Sequence, residues 1–573
     1  MMNIIQFREA NCKNCYKCLR GCPVKAISVR NNQAQIVRED CMLCGNCLTV
    51  CPQNAKTVVN NVDTVREYIA RREKVYVSLA PSFVSAFDGA EDGWLFAALR
   101  RLGFTMAEET AVGAVQVSRA YEKLIAERRM KNIISTCCPS VNLLVQRYYP
   151  ELVPLLAPVV SPMIAHAKML RETYGARIRV VFVGPCLAKK DECNDLQNEG
   201  VVDTVITFEE LRGWLHETGL LDAAQYSPEE KAGARNTAAR LYPVPGGVLH
   251  TLNARCRKLY RCVSIDGVDR CMETLEALKA GELEGYFLEM NTCRGGCVGG
   301  PCTGRDDMSF LRARQRLVEY LGRRIEGAED YLTRDVKCDL HKFFFDRSHK
   351  EETPSASEIQ EILNGTGKFT PDKELNCGAC GYSTCREKAI AVFQGKAQLH
   401  MCVPYMRERA ESLSNVILST TPNGLIALDH NLVVQEINTA AVRLFGLADR
   451  EVVGQSIFEF LTCEGLEGVQ QGGPDVYNQK QHHPEYGLTL DQTIVAAPES
   501  NTIVLVLKDI TGEEREQQQL AEARAQNVEL AQQVIAKQMR VAQEIASLLG
   551  ETTAETKVAL TKLKRSIAME SQP

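Results

Sequence analysis

Apolar and polar positions follow a pattern typical of strands and helices over the middle of the chain. Between about residues 75 and 325, short apolar runs such as 74–79, 132–135 and 179–183 each precede or follow an amphipathic helical stretch. This order is typical of an α/β domain with parallel strands. Prolines and glycines crowd residues 242–247, so we expect a loop there.

Shorter patterned segments flank this central part. Two strand-like runs, 26–29 and 34–37, lie within the first 60 residues, and further strands are predicted at 424–428 and 502–507. The polar stretch 351–357 contains a proline and predicts a domain boundary. We therefore predict a multidomain α/β chain whose five domains cover residues 1–60, 61–350, 351–410, 411–512 and 513–573.

Composition narrows the classes of function. The chain has 573 residues, of which 45% are apolar and 24% charged, so it is too long for one core and typical of folded domains. With 67 basic and 72 acidic residues, the net charge of −5 favours neither a nucleic acid nor an anionic membrane as a partner. The sequence has no run of about 18 apolar residues and no secretory signal, so we expect a cytoplasmic protein.

The 24 cysteines are clustered, which in a reducing cytosol indicates metal ligands. Two runs of Cys-x2-Cys-x2-Cys-x3-Cys-Pro match the bacterial ferredoxin pattern, in which the fourth cysteine of each run binds the other [4Fe–4S] cube. Zinc, the alternative, uses two Cys-x2-Cys pairs. We therefore predict a ferredoxin-like α+β domain with one cube on Cys12, Cys15, Cys18 and Cys51 and another on Cys41, Cys44, Cys47 and Cys22.

A further four-cysteine set follows the predicted boundary. It comprises Cys377, Cys380, Cys385 and Cys402, and Gly378 would let the backbone turn tightly around a cube. The set resembles the small four-cysteine iron–sulfur domain of electron-transfer and corrinoid proteins. That resemblance implies another [4Fe–4S] cluster, and zinc is again the alternative.

Three separate segments carry cysteines in the central part of the chain. They read Ser-Thr-Cys-Cys-Pro-Ser at 135–140, Gly-Pro-Cys-Leu-Ala-Lys-Lys-Asp-Glu at 184–192, and Leu-Glu-Met-Asn-Thr-Cys-Arg-Gly-Gly-Cys-Val-Gly-Gly at 288–300. In this order they resemble the three signature loops of [FeFe]-hydrogenases. The resemblance covers about residues 75–325 and implies an α/β domain that holds an H-cluster.

The resemblance assigns a role to each of these cysteines. It implies a [4Fe–4S] cube, the fourth of the chain, and a di-iron subcluster with CO, cyanide and azadithiolate ligands, bridged to the cube by Cys297. Cys137 matches the thiol that passes protons to the azadithiolate, and Lys189 the cation that hydrogen-bonds a cyanide. Taken singly, Cys137 would be a core cysteine and Lys189 a solvated lysine. The implied ligands of the cube are Cys138, Cys186, Cys293 and Cys297.

The chain departs from the family where protons are expected to move. Glu109 aligns with one acidic member of the relay, but Val112 and Ala157 stand where a second acid and a serine are expected. A proton does not cross an apolar gap without ordered water, so we expect slow proton delivery. Other departures surround the cofactor, namely Val141 for Trp, Asn291 for Met, and Pro301-Cys302 in the third loop. Most of the seven cysteines outside the four sets and Cys137 are expected to be buried inert thiols.

Residues 411–512 resemble a PAS domain. The marks are Ser-Thr-Thr-Pro-Asn-Gly-Leu-Ile-Ala-Leu-Asp at 419–429, Ile-Asn-Thr-Ala-Ala at 437–441 and Leu-Lys-Asp-Ile-Thr at 507–511. The resemblance implies an α+β sensor fold. His482 and His483 are predicted to lie in a loop.

The last segment predicts a long helix from Thr511 to Gly550. Its apolar positions recur at intervals of seven, which indicates an imperfect coiled coil and a homodimer, with a solvated single helix as the alternative. No histidine follows His483, so the helix lacks a phosphoacceptor. The output is therefore expected to act on a signalling kinase or phosphatase in trans.

Three functions compete. The first is a hydrogen or redox sensor with low [FeFe]-hydrogenase activity, which interconverts H2 and protons. The second is a catalytic [FeFe]-hydrogenase that exchanges electrons with a ferredoxin. The third is a non-catalytic iron–sulfur electron carrier that lacks the di-iron centre. The PAS segment and helix favour the first over the second, and the retained Cys137 and Lys189 favour it over the third.

Overall fold

The computed structural model describes residues 4–227, 239–304, 309–322, 338–349, 351–448, 450–497, 501–549 and 553–569. It divides the chain into two compact units, Met1–Tyr405 and Met406–Pro573. The polar stretch 351–357 does not separate the units. Ser355 in that stretch forms a capping box with Glu358 and begins the helix Ala356–Asn364.

The first 60 residues form the ferredoxin-like part. Two antiparallel strand pairs, Ile5–Phe7 with Lys56–Val58 and Ile27–Arg30 with Gln33–Ile36, enclose the cysteine loops. Short helices Lys17–Arg20 and Asn46–Thr49 each carry the third cysteine of a run.

The central domain contains two parallel sheets, as the alternating pattern predicted. The four-stranded sheet has the order Met106–Glu109, Val75–Leu79, Arg179–Gly184, Thr204–Thr207, and the three-stranded sheet the order Arg261–Asp266, Tyr286–Asn291, Ile133–Ile134. Most strand residues are buried on both faces because helices cover them. These helices are Val62–Ala70, Phe83–Ala86, Trp94–Arg101, Ala111–Glu127, Pro139–Tyr148, Pro162–Tyr174, Ala188–Cys193, Phe208–Glu217, Gly247–Thr251, Cys256–Leu259, Val268–Lys279 and Phe310–Gly322.

The four-cysteine segment packs on the ferredoxin-like part within the same unit. Arg20 Nη1 donates to the Ala379 carbonyl at 2.9 Å, and Lys25 Nζ donates to the Gly381 carbonyl at 2.8 Å. A side chain at Gly381 would collide with Leu19, so glycine permits this close approach. The helices of the segment are Ala356–Asn364 and Cys385–Phe393, and Val403–Thr420 follows.

The second unit is an antiparallel sheet followed by long helices. Its strand order is Val434–Ile437, Gly424–Asp429, Thr502–Asp509, Leu488–Ala497, Val476–His483, and its short helices are Thr439–Leu444 and Leu466–Gln470. His482 and His483 end a strand, so their predicted position in a loop was wrong; their pairing with Thr489 and Leu488 extends the ladder. The helices Thr511–Leu549 and Thr553–Met569 close the unit. None of the described helices has the length and apolar character needed to cross a membrane.

Candidate functional site

The three signature segments begin where parallel strands end. Cys138 follows the strand Ile133–Ile134, Cys186 follows Arg179–Gly184, and Cys293 follows Tyr286–Asn291. Ligand sites in open α/β sheets form at the carboxyl ends of strands. The fold therefore brings residues that are up to 155 positions apart, such as Met290 and Ser135, into hydrogen-bond contact beside this site.

The four thiols assigned to the central cube share one buried site. Burial raises the pKa of Cys186 to about 11, and the neighbouring Cys138 thiol adds to that rise. Burial also raises the pKa of Cys293 and of Cys297, and both Cys186 and Cys138 act on each of them in the same sense. Four convergent thiols suit a cluster that requires thiolate ligands.

A cavity lies beside these thiols. Its wall combines apolar groups, among them Met163, Phe182 and Val248, with a few polar ones. The polar and sulfur-bearing residues of the wall include Cys137, Cys186, Lys189, Tyr242, Glu289, Asn291 and Cys297. A largely apolar cavity with few polar groups is typical of a cofactor site.

Lys189 is a buried cation at the cavity wall. Its Nζ donates to Glu192 Oε2 at 2.6 Å and to the Cys137 carbonyl at 3.3 Å. Burial alone would lower the pKa of Lys189, but the Glu192 carboxylate outweighs burial and the pKa is raised. The ammonium therefore stays charged and is available to an anionic ligand.

Cys137 lies at the same wall as a neutral thiol. Burial raises its pKa to about 12, although Tyr121 and Lys189 both oppose the rise. Tyr121 Oη lies 3.3 Å from Cys137 Sγ and also receives the Thr136 backbone N–H. A thiol that holds its proton at neutral pH can act as a proton donor at Sγ.

Glu109 is engaged in a buried ion pair that the sequence did not predict. Arg240 Nε and Nη2 donate to its two carboxylate oxygens at 2.9 and 2.8 Å, and Tyr320 Oη donates at 2.7 Å. Both members of the pair are fully buried. Val112 packs against Met169 instead of continuing a relay.

The second ferredoxin-type thiol set lies directly beside the central site. Burial raises the pKa of Cys22 to about 12, and Cys44 and Cys41 add to the rise, so thiols from both runs meet. Burial likewise raises the pKa of Cys44, to which Cys138 contributes. The helix Pro139–Tyr148 links the two sites, because Ser140, Arg147 and Tyr148 donate to the carbonyls of Met42, Cys41 and Asp40 at 2.6 to 2.7 Å.

The other ferredoxin-type set lies towards the four-cysteine segment. Cys12 and Cys15 precede Tyr16 in the chain, while Cys18 is buried and Cys51 half-buried. Burial raises the pKa of Tyr16, and Cys12 and Cys380 both add to that rise. Tyr16 is therefore close to thiols of two different sets.

The four-cysteine segment lines a small cavity whose wall contains Cys377, Cys380, Cys385 and Cys402. Two buried lysines share this wall. Lys368 Nζ lies 3.3 Å from Cys402 Sγ, and burial lowers the pKa of Lys388 while the surrounding thiols oppose that decrease. Two cations beside four thiolates would offset the negative charge of a bound cube.

The sequence did not indicate a role for several residues of the central site. Arg240, Tyr242 and Glu192 had no recognised role, and only the fold brings them to the cavity or its neighbouring ion pairs. Glu289 did carry a signal, because it is the one charged residue in the apolar strand Tyr286–Asn291. A charge within a buried strand indicates a functional or ion-paired group.

Family models match four segments of the chain. Residues 4–52 match a 4Fe-4S dicluster domain, residues 374–404 an Fe-S cluster model, and residues 414–474 the PAS fold. The chain is therefore a multidomain iron–sulfur redox protein with a PAS domain. Residues 73–301 match the model described as Iron only hydrogenase large subunit, C-terminal domain, so the central domain is hydrogenase-like and the resemblance of its three cysteine segments is confirmed.

Individual relatives cover parts of the chain. It is 27% identical over 282 residues to the periplasmic [Fe] hydrogenase large subunit of Nitratidesulfovibrio vulgaris, a match that covers 39% of this chain and 66% of the relative. It is 24% identical over 299 residues to iron hydrogenase 1 of Clostridium pasteurianum, covering 42% and 52%. The matched part thus spans between half and two thirds of these relatives. A solved single-residue variant of the [FeFe]-hydrogenase of Chlamydomonas reinhardtii is 18% identical, with a TM-score of 0.40, over 51% of this chain and all of that one.

Proposed function

We propose that this protein is a hydrogen or redox sensor of low hydrogenase activity. The central cavity would bind hydrogen, and the cubes would carry electrons. The PAS domain and its helix would transmit the redox state to a partner protein. The observation that carries this proposal is the cavity with Cys137 and Lys189 at its wall and four convergent thiols beside it. The same chain carries a PAS fold, which hydrogen turnover alone does not require.

The residues of the cavity fit an H-cluster. Cys138, Cys186, Cys293 and Cys297 would hold the cube, and Cys297 would bridge to the di-iron subcluster with its CO, cyanide and azadithiolate ligands. When bound, that group supplies the interconversion of H2 with protons and electrons. Lys189 would offer its ammonium to a cyanide, and Cys137 would hold the proton at Sγ.

Electrons would travel along the three remaining cubes. The charge interaction between Cys44 and Cys138 supports a transfer step from the second ferredoxin-type cube to the central site. Tyr16, close to Cys12 and Cys380, supports a further step to the cube of the four-cysteine segment. A ferredoxin remains the proposed external donor or acceptor, and the cytoplasm the proposed compartment, since every cysteine is a free thiol.

Output would occur through the helix Thr511–Leu549. Its apolar residues Leu520, Leu530, Val534 and Val541 are exposed in the single chain, which supports pairing with a second copy. The homodimer would then engage a kinase or phosphatase in trans.

Infrared spectroscopy tests the central assignment. We expect protein matured with the di-iron complex to show CO and cyanide bands that respond to hydrogen. Their absence from protein with all its cubes would support the non-catalytic electron carrier instead. Hydrogen turnover should be measurable but well below that of a dedicated enzyme, and Cys137→Ala should lower it about 10²- to 10⁴-fold. Turnover equal to a dedicated hydrogenase would favour the purely catalytic alternative.

A further inference from the structure

Three hydroxyl groups connect the central cavity with a separate cleft. Tyr242 lines the cavity, and its Oη lies 2.7 Å from Ser118 Oγ. Ser118 Oγ lies 2.6 Å from Thr251 Oγ1. Ser118 and Thr251 in turn line a cleft of about 970 Å³.

From Ser118 outward, the exposure of the side chains rises along this series. Ser118 is 5% exposed, Thr251 is half-buried, and Arg119 and His250, which line the same cleft, are exposed. The hydroxyls therefore lead from the buried cavity to a surface that exchanges protons with water.

The geometry suits proton transfer. Oxygen–oxygen distances of 2.6 to 2.7 Å are typical of good O–H···O hydrogen bonds, and a hydroxyl can both donate and accept. Ser118 Oγ also donates to the Ala114 carbonyl at 3.1 Å and Thr251 Oγ1 to the Val248 carbonyl at 2.7 Å, so both hydroxyls must rotate to pass a proton along the series. Such a series moves a proton by successive exchange, with each oxygen giving its proton outward and taking one from its inner neighbour. Cys137 and Tyr242 line the same cavity, where a water molecule would complete the link between them.

Glu289 stands at the inner end of the series. Its two oxygens accept the backbone N–H groups of Gly246 and Leu249 at 2.9 and 3.0 Å, and it lines the cavity with Tyr242. Burial raises the pKa of Glu289 to about 7, although these hydrogen bonds oppose the rise. A carboxyl group with such a pKa gains and loses a proton readily near neutrality.

We propose that protons pass between the cavity and solvent along Tyr242, Ser118 and Thr251. This route would replace the relay that is interrupted at Val112 and Ala157. The inference rests on the proposed function, because it assigns the proton supply of the same cavity. One proton crosses for each passage, and every hydroxyl ends with the proton count with which it began.

A second polar route leaves the cavity through Lys189 and Glu192. It continues to Lys342, whose Nζ lies 3.9 Å from Glu192 Oε1 and 3.7 Å from Asp195 Oδ2. These groups are paired charges, and removal of a proton from one would leave its buried partner uncompensated. Hydroxyl exchange carries no such penalty, so the observations favour the route through Ser118.

Stopped-flow infrared spectroscopy after mixing with D2O tests the route. In matured protein at about pH 6, the protonated Glu289 carboxyl gives an infrared band. The band is assigned by its loss in Glu289→Gln. The rate at which it shifts after mixing with D2O measures proton exchange at the cavity. We expect Thr251→Val and Ser118→Ala to slow the shift about tenfold or more. Thr251→Ser, which restores the hydroxyl, should restore the rate. Thr218→Val, the control, removes a hydroxyl that donates at 2.9 Å to the Trp214 carbonyl elsewhere, and should leave the rate unchanged.

The outcomes separate the route from the proposed function. An unchanged rate in Thr251→Val, or an equal slowing in Thr251→Ser or Thr218→Val, would overturn the route while the CO and cyanide bands remain. If the unsubstituted protein shows no such bands after maturation, the proposed function fails, and the route to its cavity fails with it.

Discussion

The ferredoxin-type sites and the central site hold similar thiols but are built in opposite ways. Residues 12–18 and 41–47 each bring three cysteines together in one tight loop. The central site instead draws Cys138, Cys186 and Cys293 from the ends of three strands in two sheets. A loop site needs only its own backbone turns, whereas the central site exists only when both sheets fold together. A substitution at the central site should therefore affect a larger part of the structure than a substitution at a loop site.

A similar contrast divides the central cavity itself. On one side, four thiols and Lys189 offer soft ligands and a cation to a metal cluster. By contrast, Glu109 and Val112 do not line the cavity: Glu109 is paired with Arg240, and Val112 packs against Met169. The residues at the wall fit the cofactor, while the residues aligned with the proton relay are held in an ion pair or in apolar packing.

The largest effect is expected from Cys186→Ala. Loss of this thiolate should abolish the central cube, and because the di-iron subcluster would be held through that cube, all CO and cyanide infrared bands should vanish after maturation. Cys302→Ala is the matched control, since Cys302 is a buried thiol that interacts with Cys186 and has no proposed ligand role. Bands that persist in Cys186→Ala would refute the ligand set.

Arg240→Met should destabilise the central domain. It leaves the Glu109 carboxylate buried beside an apolar side chain, and the loss of one partner of a buried ion pair costs about 3–5 kcal/mol in free energy of unfolding. Denaturant unfolding followed by tryptophan fluorescence measures this domain alone, because the two tryptophans of the chain, Trp94 and Trp214, both lie in it.

The double variant Glu109→Gln/Arg240→Met supplies the control for that measurement. It removes both charges, so it should recover most of the lost stability. If the single variant is as stable as the unsubstituted protein, the ion pair is not formed in solution.

Cys385→Ala should have a smaller and more local effect. The ligand comes from one compact segment, so we expect the loss of one cube, about four of roughly sixteen cube iron atoms, with the ferredoxin-type signals unchanged. Iron analysis and electron paramagnetic resonance of anaerobically reconstituted protein measure both. Loss of every cluster signal together would contradict the view that these sites are built independently.

Patterns that are local in sequence predicted much of this molecule. The cysteine runs, the parallel strands such as Arg179–Gly184 and the long final helix needed only spacing and periodicity. The family match confirmed the resemblance of the three central segments. The roles of individual site residues stay predictions that the experiments above address.

The sequence did not predict the contacts between distant segments. Arg240 and Glu109 are 131 positions apart, and no motif marks either as a partner of the other. The four-cysteine segment, predicted as residues 351–410, is joined to the ferredoxin-like part by hydrogen bonds such as that from Lys25 to Gly381, 356 positions apart. Such pairs depend on packing of whole elements, which periodicity does not encode.

The smallest expected effect concerns the helix Thr511–Leu549. Lys537 and Glu544 interrupt one row of its heptad pattern, so two registers of a paired helix would differ by only a few kcal/mol. A redox change could then shift the register without unfolding the helix. Single cysteines at Val534 or Val541, both about half exposed, would report the shift through cross-linking yields under hydrogen and under inert gas.

The expected result is a change in yield of the same sign at both positions, because Val534 and Val541 are one heptad apart and a register shift moves both pairs alike. Cysteine at Ala536, which lies between the two heptad positions, serves as a control for general changes in reactivity. The sample must show CO and cyanide bands that respond to hydrogen, so that the central cavity is known to have changed state. Identical cross-linking under both gases in such a sample would remove the helix from the signalling route, because the cavity would then change state without any effect on helix packing.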